Sequence, residues 1–110
     1  MKLIEHPNIV KMDEIFEDDK YLCLVMELME GGELFDCVCV NEYFSEDEAR
    51  EAVRSILEAV QYCHSMGVVH RDIKLENLLL QSKDGAISSV KLTDFGMAAK
   101  FKPNEKLALT

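Results

Sequence analysis

His70, Arg71, Asp72 and Asn77 stand within eight residues in the pattern H-R-D-x-x-x-x-N, and Asp94-Phe95-Gly96 follows seventeen residues after Asn77. These residue types at this spacing suit phosphoryl transfer. A phosphoryl group in flight carries spread negative charge and needs metal ions and an in-line hydroxyl, with little covalent help. A hydroxyl nucleophile needs a carboxylate to orient it and accept its proton, and Asp72 fits that task. Hard Mg²⁺ prefers oxygen donors and takes only a few from protein. Asn77 and Asp94 are two such donors.

Positioning them requires a hairpin. Leu78-Leu79-Leu80 follows Asn77 and Val90-Lys91-Leu92 precedes Asp94. Pairing of these two apolar runs would bring the donors together. Gln81 to Ser89 reads as the polar tip, with Asp84-Gly85 as the turn signal. Upstream, Ser45-Glu46-Asp47-Glu48 forms a capping box that opens the clearest helix of the chain. Its apolar stripe runs Ala49, Ala52, Val53, Ile56, Leu57, Val60, Cys63 and Met66, which predicts one buried face. Gly67 is the expected C-terminal cap, and His64 near that end reads as a surface or capping residue. A shorter helix is expected over Leu34 to Val40. Ile9 to Phe16 and Tyr21 to Met26 read as an antiparallel hairpin, its second strand apolar throughout and so expected to be covered on both faces. Met1 to Glu5 reads as a helix end, closed by His6-Pro7-Asn8.

With D-F-G behind a plausible hairpin, the catalytic-loop pattern resembles that of a eukaryotic-type protein kinase. The stretches Glu5-His6-Pro7-Asn8-Ile9-Val10, Met26 to Phe35 and Ser65 to Asp72 are similar to those of the calcium/calmodulin-dependent group of serine/threonine kinases. The likeness covers essentially all 110 residues, which correspond to well under half of a kinase catalytic domain. It implies an α+β fold with residues 1–26 as the end of an N-lobe, 27–33 as the hinge and 34–110 as the first part of a C-lobe.

The same resemblance implies ATP and Mg²⁺ as cofactors and assigns roles. Asp72 is the base, Lys74 steadies the γ-phosphate, and Asn77 and Asp94 hold metal. Met26 stands as gatekeeper beside the adenine, while the Glu27 carbonyl and the Met29 amide meet the adenine edge. Glu33 contacts ribose and a substrate arginine, and Glu76 offers a second acid. His70 is structural, packing on Phe95, whose inward packing sets the active pose. Arg71 pairs with a phosphorylated activation loop, whose first part is Ala98 to Thr110, with Thr110 a candidate phosphosite. Met97 goes with serine as acceptor. Leu75 stands where the family usually has proline; this loses a fixed φ but no catalytic group. On spacing alone Glu30 to Glu33 is an ordinary loop before a helix, and Lys74 and Glu76 are a loop charge pair.

The net charge is −9, with sixteen acids against five bases in residues 1–58. That balance disfavours nucleic acid, which demands clustered lysine and arginine, and favours a protein or peptide partner with basic residues near the acceptor. Most of these charges are expected to form a solvated surface. No apolar run approaches the length of a membrane span, and the start lacks a signal-peptide core; a cytoplasmic or nuclear place is expected. Cys37-x-Cys39 is accompanied by no C-x-x-C and no histidines spaced to make a zinc site, so Cys23, Cys37, Cys39 and Cys63 read as buried or half-buried thiols.

Three parts of a kinase are legible: base, metal donors and hinge. The 110 residues contain no G-x-G-x-x-G loop, no V-A-I-K strand lysine and no A-P-E. The expectation is a truncated catalytic domain, inactive alone and marginally stable. Two other classes compete. One is a non-catalytic, kinase-derived interaction fragment or pseudokinase-like piece. The other is a small-molecule phosphotransferase, against which Arg71 and Phe95 argue.

Overall fold

The computed structural model describes residues 4–41 and 44–101. Strands β1 (Met12–Glu17) and β2 (Leu22–Met26) form an antiparallel ribbon. Next come β3 (Gly32–Glu33) and helices α1 (Leu34–Asn41) and α2 (Glu46–Ser65). Strands β4 (Val68–Val69), β5 (Leu78–Leu80), β6 (Val90–Leu92) and β7 (Ala99–Lys100) complete the order. Strands β3, β5 and β6 make one three-stranded sheet in that spatial order, and β4 pairs with β7.

The capping box of α2 is closed on both sides. Glu48 N–H donates to Ser45 Oγ at 3.1 Å, and Ser45 N–H donates to the Glu48 carboxylate at 3.4 Å. Glu46, Asp47 and Glu48 place negative charge at the positive end of the helix dipole. The other end stops on Met66 and on Gly67 at φ +75°, the left-handed cap conformation.

The core lies where α1 and α2 meet the β5–β6 hairpin. Leu80, Val90 and Leu92 are wholly buried, joined by Ile9, Leu34, Ala59, Cys63, Leu78 and Ile87. Burying one such aliphatic side chain is worth about 1.5–3 kcal/mol. The period-two alternation of β6 turns Val90 and Leu92 inward and leaves Lys91 on the other face. Burial pushes the Cys63 thiol above its ordinary 9.0, as befits a core residue.

Several expectations need correction. Strand β1 starts at Met12 because the backbone at Ile9 and Val10 is taken by β6. Ile9 bridges Leu92 in parallel, and Val10 N–H donates to Leu92 O at 3.0 Å. Ile4 and Glu5 are not helical, and residues 1–3 lie outside the described residues. Strand β2 is not covered: Leu22, Cys23, Leu24, Val25 and Met26 are all exposed, because no described element blankets the ribbon. On α2, Ala59 and Cys63 carry the buried face, whereas Val53 and Leu57 are exposed. The hairpin tip is not wholly polar, since a 3₁₀ turn at Ile87–Ser89 drops Ile87 into the core. Cys23 and Cys39 are exposed. No helix of the described residues is long and apolar enough to cross a membrane.

Candidate active site

The β5–β6 hairpin forms as the apolar runs predict, in the register Leu78–Leu92, Leu79–Lys91 and Leu80–Val90. Just outside it, Thr93 N–H donates to Asn77 O at 2.9 Å. This bond places Asp94 one residue beyond the partner of Asn77. The two expected metal donors thus flank the open end of one hairpin.

Asn77 ends a 3₁₀ turn, Leu75–Asn77, and is buried. Its Nδ2 donates to the Asp72 carbonyl at 2.9 Å and to Asp72 Oδ2 at 3.2 Å. Both bonds use the amide nitrogen. The side-chain oxygen, the atom a hard cation would use, stays outside them. Lys74 Nζ lies 3.7 Å from Asp72 Oδ2, with both side chains partly open to solvent. Such an exposed pair contributes little to stability, but it puts a cation beside the carboxylate. Asp72, Lys74 and Asn77 therefore form one cluster.

Asp94 is exposed, and its Oδ1 accepts from Gly96 N–H at 3.2 Å. Arg71 and Asp94 adopt φ of +69° and +59°, and they are the non-glycine residues with positive φ among those described. Each costs of order 1–3 kcal/mol, and such strain concentrates at functional sites.

His70 holds this framework from beneath. It is buried; Asp72 N–H donates to its Nδ1 at 3.1 Å, and its Nε2 meets the Thr93 carbonyl at 2.9 Å. That pattern requires the proton on Nε2. Its ring meets Phe95 edge-on at 4.7 Å between centroids. The histidine thus ties the loop of Asp72 to the strand end before Asp94. Arg71 Nε donates to the Met97 carbonyl at 2.7 Å, and β7 pairs Ala99 and Lys100 with Val69 and Val68. The β4–β7 pairing escaped sequence reasoning because two-residue strands leave no periodic signal. Thr110 lies outside the described residues.

The residues expected to receive adenine and ribose lie at the end of β2, on β3 and between the two. Met26 ends β2 and is exposed, while Met29 and Glu33 are half-buried. Among the described residues neither the Glu27 carbonyl nor the Met29 amide takes part in a hydrogen bond. Glu33 pairs with Leu79, two residues beyond Asn77.

Glu27 is more occupied than expected. Its Oε1 accepts from Lys11 N–H at 2.9 Å and from Lys91 Nζ at 2.8 Å, and its Oε2 from Gln81 at 3.3 Å. Burial pushes its carboxyl upward, but the Lys91 ammonium and the Lys11 amide outweigh that and hold it below the ordinary 4.5. Sequence reasoning gave Glu27 only a backbone role and Lys91 none. The available signal was a lone lysine between two buried residues in Val-Lys-Leu, which calls for an acid on the other face. Glu27 and Lys91 also line an open cleft of about 240 Å³ with Glu5, His6, Ile9 and Lys11.

Mg²⁺ fits the donor chemistry of Asn77 and Asp94, one amide oxygen and one carboxylate. Among the described residues no three His, Cys, Asp or Glu cluster as a closed cage.

The protein kinase domain family model matches residues 1–110. Calcium-dependent protein kinase 14 of Arabidopsis thaliana is 49% identical over 102 residues, 93% of this chain and 19% of the relative. Calcium/calmodulin-dependent protein kinase type II of Caenorhabditis briggsae is 45% identical over 102 residues, with the same two coverages. Human ribosomal protein S6 kinase alpha-2 is 42% identical over 106 residues, 96% of this chain and 14% of the relative. The chain thus spans about a fifth or less of the length of these curated relatives. A family match over every residue, joined to a hairpin that sets Asn77 and Asp94 at its open end, means that the chain belongs to the protein kinase family.

Proposed function

We propose that these residues are the hinge and catalytic-loop portion of a serine/threonine kinase that passes the γ-phosphate of ATP to a protein hydroxyl. The observation that carries the reading is the Asp72–Asn77 contact, with Lys74 beside it. Asp72 orients the acceptor hydroxyl and takes its proton. Asn77 fixes the Asp72 carboxylate, and its own side-chain oxygen would hold the cation. Asp94 would supply the second oxygen donor. Mg²⁺ when bound would neutralise charge on the phosphates. Lys74 steadies the γ-phosphate, and Met26, Glu27, Met29 and Glu33 receive adenine and ribose. Residues 1–26 are the end of an N-lobe, 27–33 the hinge and 34–110 the start of a C-lobe. The acidic first half suits a substrate with basic residues near its serine. A cytoplasmic or nuclear setting goes with this reading.

The 110-residue chain turns over little by itself, since it carries neither a glycine-rich phosphate loop nor a strand lysine. Losing one electrostatic group of this kind can cost about 10²–10³ in rate. A radiolabel transfer assay with a basic serine peptide tests both statements. Trace or no transfer is expected from the chain, and robust transfer abolished by Asp72→Asn would show that these residues suffice.

One observation favours a second reading, a non-catalytic interaction piece: the exposed apolar residues of the β1–β2 ribbon. A thermal-shift titration with Mg-ATP separates the two. Stabilisation that Asp94→Asn removes supports the nucleotide site, and no shift supports the interaction piece.

A further inference from the structure

The hinge and the β5–β6 hairpin are fastened to each other at points for which the scheme above has no task. Glu27 Oε1 meets Lys91 Nζ at 2.8 Å, and their side chains are only 21% and 13% exposed. Glu27 Oε2 accepts from Gln81, the residue after β5, at 3.3 Å. Gly31 N–H donates to Leu80 O at 2.8 Å. The glycine is required there, because a Cβ would lie 2.6 Å from Leu80 Cβ and 2.8 Å from Leu80 O. The same hairpin carries Asn77 before β5 and Asp94 two residues after β6.

We propose that Lys91, Gln81 and Gly31 are positioning residues for the nucleotide, locking the base-binding hinge to the hairpin that bears the metal donors. The inference rests on the nucleotide reading above and deepens it. ATP has a limited reach from adenine to triphosphate. A ligand held at both ends gains from the second contact only when the two ends of the site stand at a matching separation. Displacement of about 1 Å can cost two orders of magnitude in a reaction that depends on placement. An ion pair whose two side chains are largely withdrawn from water is stiff, and a backbone contact closed by a glycine leaves no slack. Magnesium should therefore strengthen ATP binding only while the lock holds, whereas adenosine, which touches the hinge alone, should be indifferent to it.

The test titrates the 110-residue chain with ATP and with adenosine, each with and without Mg²⁺, followed by nuclear magnetic resonance. Wild type and Lys91→Arg are expected to bind ATP about tenfold more tightly with Mg²⁺. Lys91→Met and Gly31→Ala should lose most of that enhancement and keep adenosine affinity within about twofold. A merely structural role would weaken both ligands together, and that outcome overturns the proposal. Gln81→Ala removes an exposed side chain and serves if Lys91→Met does not fold; it should lower the enhancement about two- to threefold, and an unchanged ratio there overturns the proposal. If wild type shows no magnesium effect, the nucleotide reading falls and the lock with it. If wild type shows the effect and Lys91→Met retains it in full, the lock alone falls.

Discussion

Asn77 holds Asp72 at two atoms, donating from one Nδ2 to its carbonyl at 2.9 Å and to its carboxylate at 3.2 Å. The buried amide thereby makes the orientation of the carboxylate a property of the fold. Asn77→Leu keeps the volume and removes both donors. The Asp72 carbonyl is left without its partner, which costs about 1–3 kcal/mol. Urea unfolding should show that loss, and the magnesium dependence of ATP binding should vanish with it. A variant with the wild-type midpoint would mean that this contact is incidental.

The Glu27–Lys91 pair gives stability a pH signature. Glu27 titrates below its ordinary 4.5 in the fold. A depressed carboxyl contributes stability that is fully present above the unfolded value and is lost as pH falls through the folded value. Wild type should therefore lose stability as pH drops below about 4.5. Glu27→Gln should do so less steeply. Some slope should remain, because the Asp18 and Asp84 carboxyls are also held below their ordinary 3.8, the first by the Lys20 and Tyr21 amides and the second by the Ser82 hydroxyl and Ala86 amide. Chemical denaturation at stepped pH would compare the slopes, and equal slopes would remove Glu27 from the account.

The loop from His70 to Asn77, the hairpin and the capped helix were legible because each is specified locally. Leu78–Leu80 and Val90–Leu92 advertise a buried hairpin by composition, and Ser45 and Glu48 announce a helix start by spacing. What stayed hidden depends on distant partners. Lys91 finds Glu27 sixty-four residues away; Val-Lys-Leu calls for an acid but does not say which one. Ile9 joins β6 and not β1, a choice made by the third dimension. Burial of β2 was read from its apolar run, but a run records only a preference; the neighbours that would satisfy it are not part of the run.

Removing the helix cap should be felt across the core. Ser45→Ala deletes the acceptor for Glu48 N–H, while the return bond to the Glu48 carboxylate comes from the backbone N–H that alanine keeps. The expected cost is about 1 kcal/mol, and Ser45→Asp should restore most of it. Circular dichroism melts would show a lower midpoint for the alanine variant alone. Equal midpoints would mean that packing of Ala59 and Cys63 fixes the helix start unaided.

At the opposite end Gly67 stands at φ +75°, where an added Cβ would lie 3.0 Å from the Phe101 carbonyl oxygen. Gly67→Ala therefore combines a left-handed backbone with a tight contact, at about 1–2 kcal/mol. Its N–H bond to His64 O and its carbonyl bond from Phe101 N–H tie the helix end to the strand after Asp94. Amide exchange at Phe101 should accelerate in the variant while exchange at Leu80 and Leu92 follows global stability. Undisturbed protection at Phe101 would contradict this coupling.

The ribbon offers the sharpest test of what these residues do without further cover. Ile15 faces Leu24 across β1 and β2, and the two are 48% and 45% exposed. Phe16, Tyr21 and Leu22 add more apolar surface at the same end. Exposed apolar surface of this kind drives association, and an open ribbon edge adds a template for strand pairing. Ile15→Thr with Leu24→Thr keeps residues that suit a strand and removes the paired apolar face. Because neither side chain is buried, unfolding stability should move by no more than about 0.5 kcal/mol. The monomer fraction in light scattering should rise markedly at the same time. If stability collapsed instead, Ile15 and Leu24 would have to be core residues of a state in which the ribbon folds back on the helices.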